Sequence, residues 1–490
     1  MGSRVGPGYK WIALSCTTVG ALLSVLNGST LMIALPEIAH QLRASMEVVI
    51  WVIMGYMLAI TILVPSIGRV ADIFGRKRLY VWGFGIFTLM SFLGGWARTG
   101  TELLVARTLS AVGGALMLAN STAIVTDAFP RGELGKALGV NAMVISAASV
   151  VGPILGGFLT SMGWRWVFWF NVPLGVLGTV WAGTRLRELV CLPEGQRFDW
   201  PGTISFTLGL LAILVGLTFG SMIGWLSFPI VSAMLVGLGL LALFIWIENC
   251  VDQPMLDLTL FRNRFLAAAY ASNFLNGLAR GAVTFLLIFF FQGVKGLSPL
   301  QAGIAMTPFA LVMMVVGPLS GMLSDRLGSR GLSSAGLAIS AIGLLGLTRL
   351  QPTTSMAEIV IWMLIMGAGS GLFFSPNTNA IMGAVPAERR GIAAGTRTMM
   401  NNAGMLVSIA MTMALTASSV NAQVMQGLFA HTGITVDQAA VGGFVHSLHL
   451  AFMISFVISL VAAGISLLRG DMPDTADSNA SKPSLEVAHR

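Results

Sequence analysis

GRVADIFGRKRL, Gly68 to Leu79, gathers Arg69, Asp72, Arg76, Lys77 and Arg78 directly after an uncharged stretch. GMLSDRLGSR, Gly321 to Arg330, repeats its pattern: a glycine, an aspartate four residues on, a glycine three further, then a base. Both loops leave an even-numbered apolar span, so the chain reads as two structural repeats. Gly68 lets a facing helix come close. Asp72, at a helix end, is placed to cap a neighbour's N-terminus or to pair with a base. Arg76, Lys77 and Arg78 suit the anionic inner leaflet. A latch on one face is therefore expected from Gly68, Asp72, Gly75, Arg76 and Lys77, with Gly321, Asp325, Arg326 and Gly328 as its echo.

The rest of the chain explains why such a loop stands out. Of 490 residues, 55% are hydrophobic and 10% charged, against about 25% charged in a soluble domain. The surplus apolar residues must face something other than water. Apolar runs near the bilayer-spanning length of about 20 residues fall at 11–35, 48–68, 79–97, 103–126, 137–160, 165–184, 203–221, 228–247, 266–291, 302–323, 333–350, 358–380, 393–416 and 444–468. The fold class is all-α and integral to the membrane. The first run is long enough to span rather than be cleaved as a signal peptide. Cys16, Cys191 and Cys250 form no CxxC pair, which leaves no disulfide framework or cysteine metal site to expect.

The 28 Lys and Arg residues orient this map. With the N-terminus cytoplasmic, twenty fall on that side and five on the other (Arg43, Arg98, Arg165, Lys295, Arg349), while Arg107, Arg280 and Arg397 lie inside spans. Such asymmetry is the positive-inside rule, and it puts both termini in the cytoplasm. The net charge of +8 thus orients the chain and does not mark a nucleic-acid footprint.

GRVADIFGRKRL resembles the signature loop between helices 2 and 3 of the major facilitator superfamily. The remainder resembles its fourteen-helix drug:proton antiporter branch over nearly the whole chain. The stretches that carry this are LNGSTLMIALP (Leu26 to Pro36), RTLSAVGGA (Arg107 to Ala115), GPILGG (Gly152 to Gly157), WRWVFWFNVPLG (Trp164 to Gly175), LDLTLFRNRFL (Leu256 to Leu266) and GLSPLQAG (Gly296 to Gly303). The resemblance implies two six-helix bundles rocking about a central cavity, with two extra helices between them. The expected organisation is a cytoplasmic N-terminus at 1–10, a six-helix bundle at 11–200, a two-helix insert at 201–250, a second bundle at 251–468 and a disordered cytoplasmic tail at 469–490.

The resemblance also assigns roles. Gly152, Pro153, Gly156 and Gly157 match the antiporter motif, where small residues and a proline give a pliable contact between bundles. Arg107 matches an arginine implicated in proton coupling, although Ser110 and Ala111 replace the usual Gln and Gly around it. The branch typically carries an acid in helix 1, where this chain has Asn27. Every acid lies at a helix end or in a loop, so Asp127 and Asp72 remain as carboxylates for the proton. An ionisable group inside a membrane span marks a functional site by default, which singles out Arg280 as well. Asn27, Asn141, Asn273, Asn276, Arg280, Asn377, Asn401 and Asn402 are candidate polar groups of a substrate cavity, with Phe285, Phe289, Phe373 and Phe374 as apolar walls.

The function expected is a secondary active, multi-pass transporter of the cell (inner) membrane that exports amphiphilic small molecules, drugs or related toxic compounds by proton antiport. Antibiotic resistance would follow. No cofactor is expected beyond the proton gradient, and a functional monomer suits the fold. The alternative is a dedicated exporter of one endogenous anionic or neutral metabolite or lipid-like compound. A transport-inactive membrane sensor needs a soluble output domain, which neither the ten-residue start nor the short tail supplies. No catalytic motif is present, and His446 and His449, one helical turn apart, lack a third metal ligand nearby.

Overall fold

In a computed structural model the described residues are 8–42, 44, 46–189, 199–251, 258–386, 389–419 and 438–470. Most of the expected N-terminal segment and tail therefore lies outside them. Among the described residues every regular element is helical. The first half comprises α1 (Tyr9–Gln41), α2 (Met46–Phe74), α3 (Arg76–Gly95), α4 (Gly100–Ala128), α5 (Leu134–Met162), the short α6 (Trp166–Trp169) and α7 (Asn171–Arg185). A hairpin of α8 (Trp200–Ile223) and α9 (Phe228–Cys250) follows. The second half comprises α10 (Thr259–Arg262), α11 (Arg264–Phe289), α12 (Pro299–Ala305), α13 (Thr307–Leu327), α14 (Ser329–Leu347), α15 (Met356–Gly383), α16 (Arg390–Ser419) and α17 (Gln438–Leu468).

Each span read from the sequence falls on one of these helices, with two refinements. The span at 165–184 is broken into α6 and α7, and that at 302–323 begins as α12 and turns at Met306 into α13. Ten helices among the described residues are long and apolar enough to cross a membrane by composition alone. Of the other long helices, α3 packs on α4 and α7, α5 on α1 and α13, α11 on α16 and α17, and α16 on α2.

The two halves repeat one packing scheme. In the first, α1 packs on α5, α2 on α4, α3 on α4 and α3 on α7; in the second, α11 packs on α16, α13 on α15, α14 on α15 and α14 on α17. The halves meet reciprocally, α2 against α16 and α13 against α5. Small residues set these seams. A Cβ on Gly68 would lie 2.6 Å from the Gly391 carbonyl oxygen, and one on Gly395 would lie 2.7 Å from that of Val64. In the mirror seam, Gly135 and Gly321 each put a missing Cβ against the other's carbonyl, and Gly139 meets Pro318 at 2.5 Å. The α8–α9 hairpin lies outside the α2–α16 seam and packs Phe206 and Leu214 against it.

Candidate functional site

The two charged loops each meet the opposite half. Gly75 and Gly328 turn the chain at φ +100° and +79°, a region glycine enters without steric cost. Each turn leaves an aspartate one helical turn earlier facing across the seam. Asp72 accepts N–H bonds from Gly391 (3.1 Å) and Ile392 (3.2 Å), the first turn of α16. Asp325 accepts N–H bonds from Gly135 (3.0 Å) and Lys136 (3.3 Å), the first turn of α5. Both carboxylates thus satisfy orphan amides and sit at the positive end of a helix dipole. Asn379 supports the second cap, donating to Asp325 Oδ1 at 3.1 Å.

Ion pairs reinforce the first cap. Arg76 donates to Asp72 from Nη2 at 2.7 Å and Nε at 3.1 Å, and through Nη1 to Asp127. Asp127 also pairs with Arg390 of α16 at 3.2 Å. Asp72, Arg76 and Asp127 are nearly excluded from solvent, so their attraction is weakly screened. Beneath them an apolar cluster joins the halves, with Val125, Phe129, Leu134 and Leu138 on one side and Phe265, Tyr270, Ile381 and Ala393 on the other. The face bearing the charged loops is closed. Arg326 is exposed and takes no part in the cap, and Lys77 contributes its backbone N–H.

Sequence reasoning missed Glu188 and Arg390. Glu188 accepts the N–H groups of Arg76 (2.7 Å) and Lys77 (3.0 Å) and caps α3 from beyond α7. Burial pushes its carboxyl above the usual value, although these amides pull the other way. No local pattern marks either residue; both act across the fold.

The antiporter-motif residues line α5 differently from the reading of a contact between bundles. Gly152 and Gly156 press on Ser29 and Thr30 of α1, within their own half. Gly157 alone meets the other half, at Leu300 of α12. The side chains of Pro153, Phe285 and Phe289 lie outside the described residues.

The cavity candidates divide. Asn377 donates to the Ala269 carbonyl and accepts from Arg469 at 3.1 Å, so it belongs to the packing beside the chain's exit from α17 and is no cavity group. Phe373 is likewise corrected, buried in a packing cluster with Leu337 and Ala462. Asn273 holds the Arg397 carbonyl at 2.7 Å. Asn276 is buried on α11, while Asn401 and Asn402 are half-buried on α16. Phe374 lies under the Arg397 guanidinium, 5.4 Å from its centre. Asn27 and Asn141 are buried with polar atoms left without a partner.

Arg107, Arg280 and Arg397 are interior guanidiniums whose Nε atoms lack a hydrogen-bond partner. Arg107, 3% exposed, stacks on the Tyr56 ring at 4.1 Å, and its Nε has no hydrogen-bond partner. Arg280 stacks on Phe309 at 5.7 Å with its Nε equally unpartnered. A desolvated cation–ring contact is worth about 2 kcal/mol, whereas withdrawing such a charge from water costs several kcal/mol even after relaxation. The rings do not balance the charges. No carboxylate among the described residues stands beside either one. His449 points at the Leu350 carbonyl, and no cluster of metal-ligating side chains occurs among the described residues.

The fold, its reciprocal seams and its repeated caps define a two-bundle membrane transporter. A family model described as Major Facilitator Superfamily matches residues 17–409 and 269–488, and the chain belongs to that superfamily. It is 33% identical to the riboflavin transporter RibZ of Clostridioides difficile over 78% of this chain and 83% of that one. It is 32% identical to the multidrug resistance protein Stp of Mycobacterium tuberculosis over 81% and 74%. The human organic anion transporter MFSD10 shares the fold, with TM-score 0.64 at 15% identity over 93% and 100% of the two chains.

Proposed function

We propose that this chain is a secondary active exporter of amphiphilic small molecules, driven by proton antiport in the cell (inner) membrane through alternating access. The observation that carries this is the pair of repeat-related aspartates, each capping a helix of the opposite half. Contacts of that kind exist in one arrangement of the bundles and vanish in the other, which is what alternating access requires. By the distribution of basic residues the latched face is cytoplasmic. Asp72 and Asp127 are the carboxylates placed to take the proton, because protonating them weakens the Asp72 cap on α16 and the Asp127–Arg390 pair, which are the charged contacts that cross the seam. No cofactor enters, the driving force being the proton gradient, and one chain suffices as the working unit. Relatives named as multidrug resistance proteins are consistent with this reading. A second reading, export of one anionic or neutral compound, is favoured by the uncompensated Arg107 and Arg280.

The test is dye efflux from proteoliposomes under an imposed pH gradient, with one cationic and one anionic dye. Flux that follows the gradient and collapses with a protonophore is expected. Flux of equal rate with and without the gradient would overturn antiport.

A further inference from the structure

The repeat brings out a relation between two of the three uncompensated interior arginines, Arg107 and Arg280. Tyr56 and Phe309 stand at the same spacing before the capping aspartates Asp72 and Asp325, so they are the same position in the two halves. Each lies on a seam helix, Tyr56 on α2 against α16 and Phe309 on α13 against α5. Each carries one guanidinium, supplied from a different helix: Arg107 from α4 and Arg280 from α11. The arrangement is built. On α4, Gly114 makes room for the Tyr56 hydroxyl, which would lie 2.7 Å from a Cβ there. On α11, Gly281, next to Arg280, presses against α16, where a Cβ would meet the Met405 carbonyl at 2.7 Å.

Around Arg107 three buried polar atoms converge without hydrogen bonds of good geometry: its own Nε, the Tyr56 hydroxyl and Asn27 Nδ2. They come from α4, α2 and α1. Asn27 Oδ1 is occupied by Asn171 at 3.4 Å, which turns the amide's donor side outward. Asn27 Nδ2 faces the Tyr56 hydroxyl oxygen, which can accept from it, so the group left without an acceptor is the Arg107 guanidinium, and the complement it lacks is an acceptor carrying negative charge.

We propose that Arg107 with Tyr56 and Asn27, and Arg280 with Phe309, are the two halves of a binding site for an organic anion, a carboxylate-bearing amphiphile. The anionic group supplies the counter-ion that neither half contains, and the aromatic platforms take the adjoining apolar body. One guanidinium on each rocking half ties the ligand's charge to the relative position of the bundles. The inference rests on the transport reading above, but it concerns equilibrium binding and needs no gradient.

The experiment is fluorescence binding of pyrenebutyrate and of its uncharged carboxamide to the purified full-length protein in nanodiscs. Wild type is expected to bind the carboxylate at least about tenfold more tightly than the amide, as a charge-assisted pair requires. Arg107→Gln and Arg280→Gln each shrink that gap while leaving amide binding in place, which also reports folding. Asn27→Asp supplies an internal counter-ion to Arg107 and closes the gap by a route that adds charge, so it decides the matter should Arg107→Gln fail to fold. Equal affinity of wild type for the two probes overturns the proposal, as does a gap that survives Asn27→Asp. Loss of gradient-driven efflux with the gap intact would overturn antiport and leave the anion site standing.

Discussion

Replacing Asp72 by asparagine keeps the side chain's shape and removes its charge. The bonds to Arg76 lie within one half and persist whichever way the bundles lean, so they cancel. What differs between the two arrangements is the cap on α16. Asp72 accepts two amide N–H bonds there, at 3.1 and 3.2 Å, with almost no exposure to solvent. Hydrogen bonds to a charged group are worth about 1.5–3 kcal/mol each, and the helix dipole adds about 0.5–1 kcal/mol. Asparagine retains one carbonyl acceptor and turns an NH2 toward the second amide. The net loss is about 3 kcal/mol, which converts to a population shift of about a hundredfold toward the unlatched arrangement. A cysteine introduced as Ala393→Cys, in a background with the native cysteines replaced by serine, reads this out. Ala393 is 1% exposed in the apolar cluster beneath the latch. Its alkylation rate should rise about a hundredfold with Asp72→Asn. An unchanged rate would show that the cap does not hold the face shut.

Asp325→Asn should act in the same direction but more weakly in the same assay, because the carboxylate is half-exposed and its hydrogen bonds are already shared with water. Gly68→Val forces a side chain where even a Cβ lies 2.6 Å from a backbone carbonyl; alkylation at Ala393→Cys should rise and gradient-driven efflux fall. Glu188 titrates above its ordinary value because it is buried. Its folded form holds the proton more tightly than the unfolded chain, so its contribution to stability is complete below the unfolded value and is lost as pH rises through the raised one. The melting temperature of wild type relative to Glu188→Gln should therefore fall with rising pH across that window, and a difference that rises would refute the assignment. Gly114→Ala crowds the Tyr56 hydroxyl and should lower carboxylate binding severalfold with little change for the carboxamide.

Much of this protein is legible without coordinates. Apolar runs of bilayer length and the lopsided basic residues dictate membrane-spanning helices and an orientation, because hydrocarbon leaves a backbone no other way to satisfy its hydrogen bonds. The matched GRVADIFGRKRL and GMLSDRLGSR stretches reveal the repeat, and positive-φ glycines with a nearby aspartate follow from local chemistry alone. The partners of those aspartates do not. Asp72 meets Gly391 and Ile392, Asp127 meets Arg390, and Glu188 meets Arg76, all pairs far apart in the chain and defined only once the helices pack. The same holds for the asparagines. Asn27 and Asn377 look alike in sequence, yet one is left with an open donor near Arg107 and the other is consumed by Arg469. Sequence fixes which side chains a helix carries and how often they recur. Whether a buried polar group finds a partner depends on which helix faces it, and that is a property of the packed halves alone.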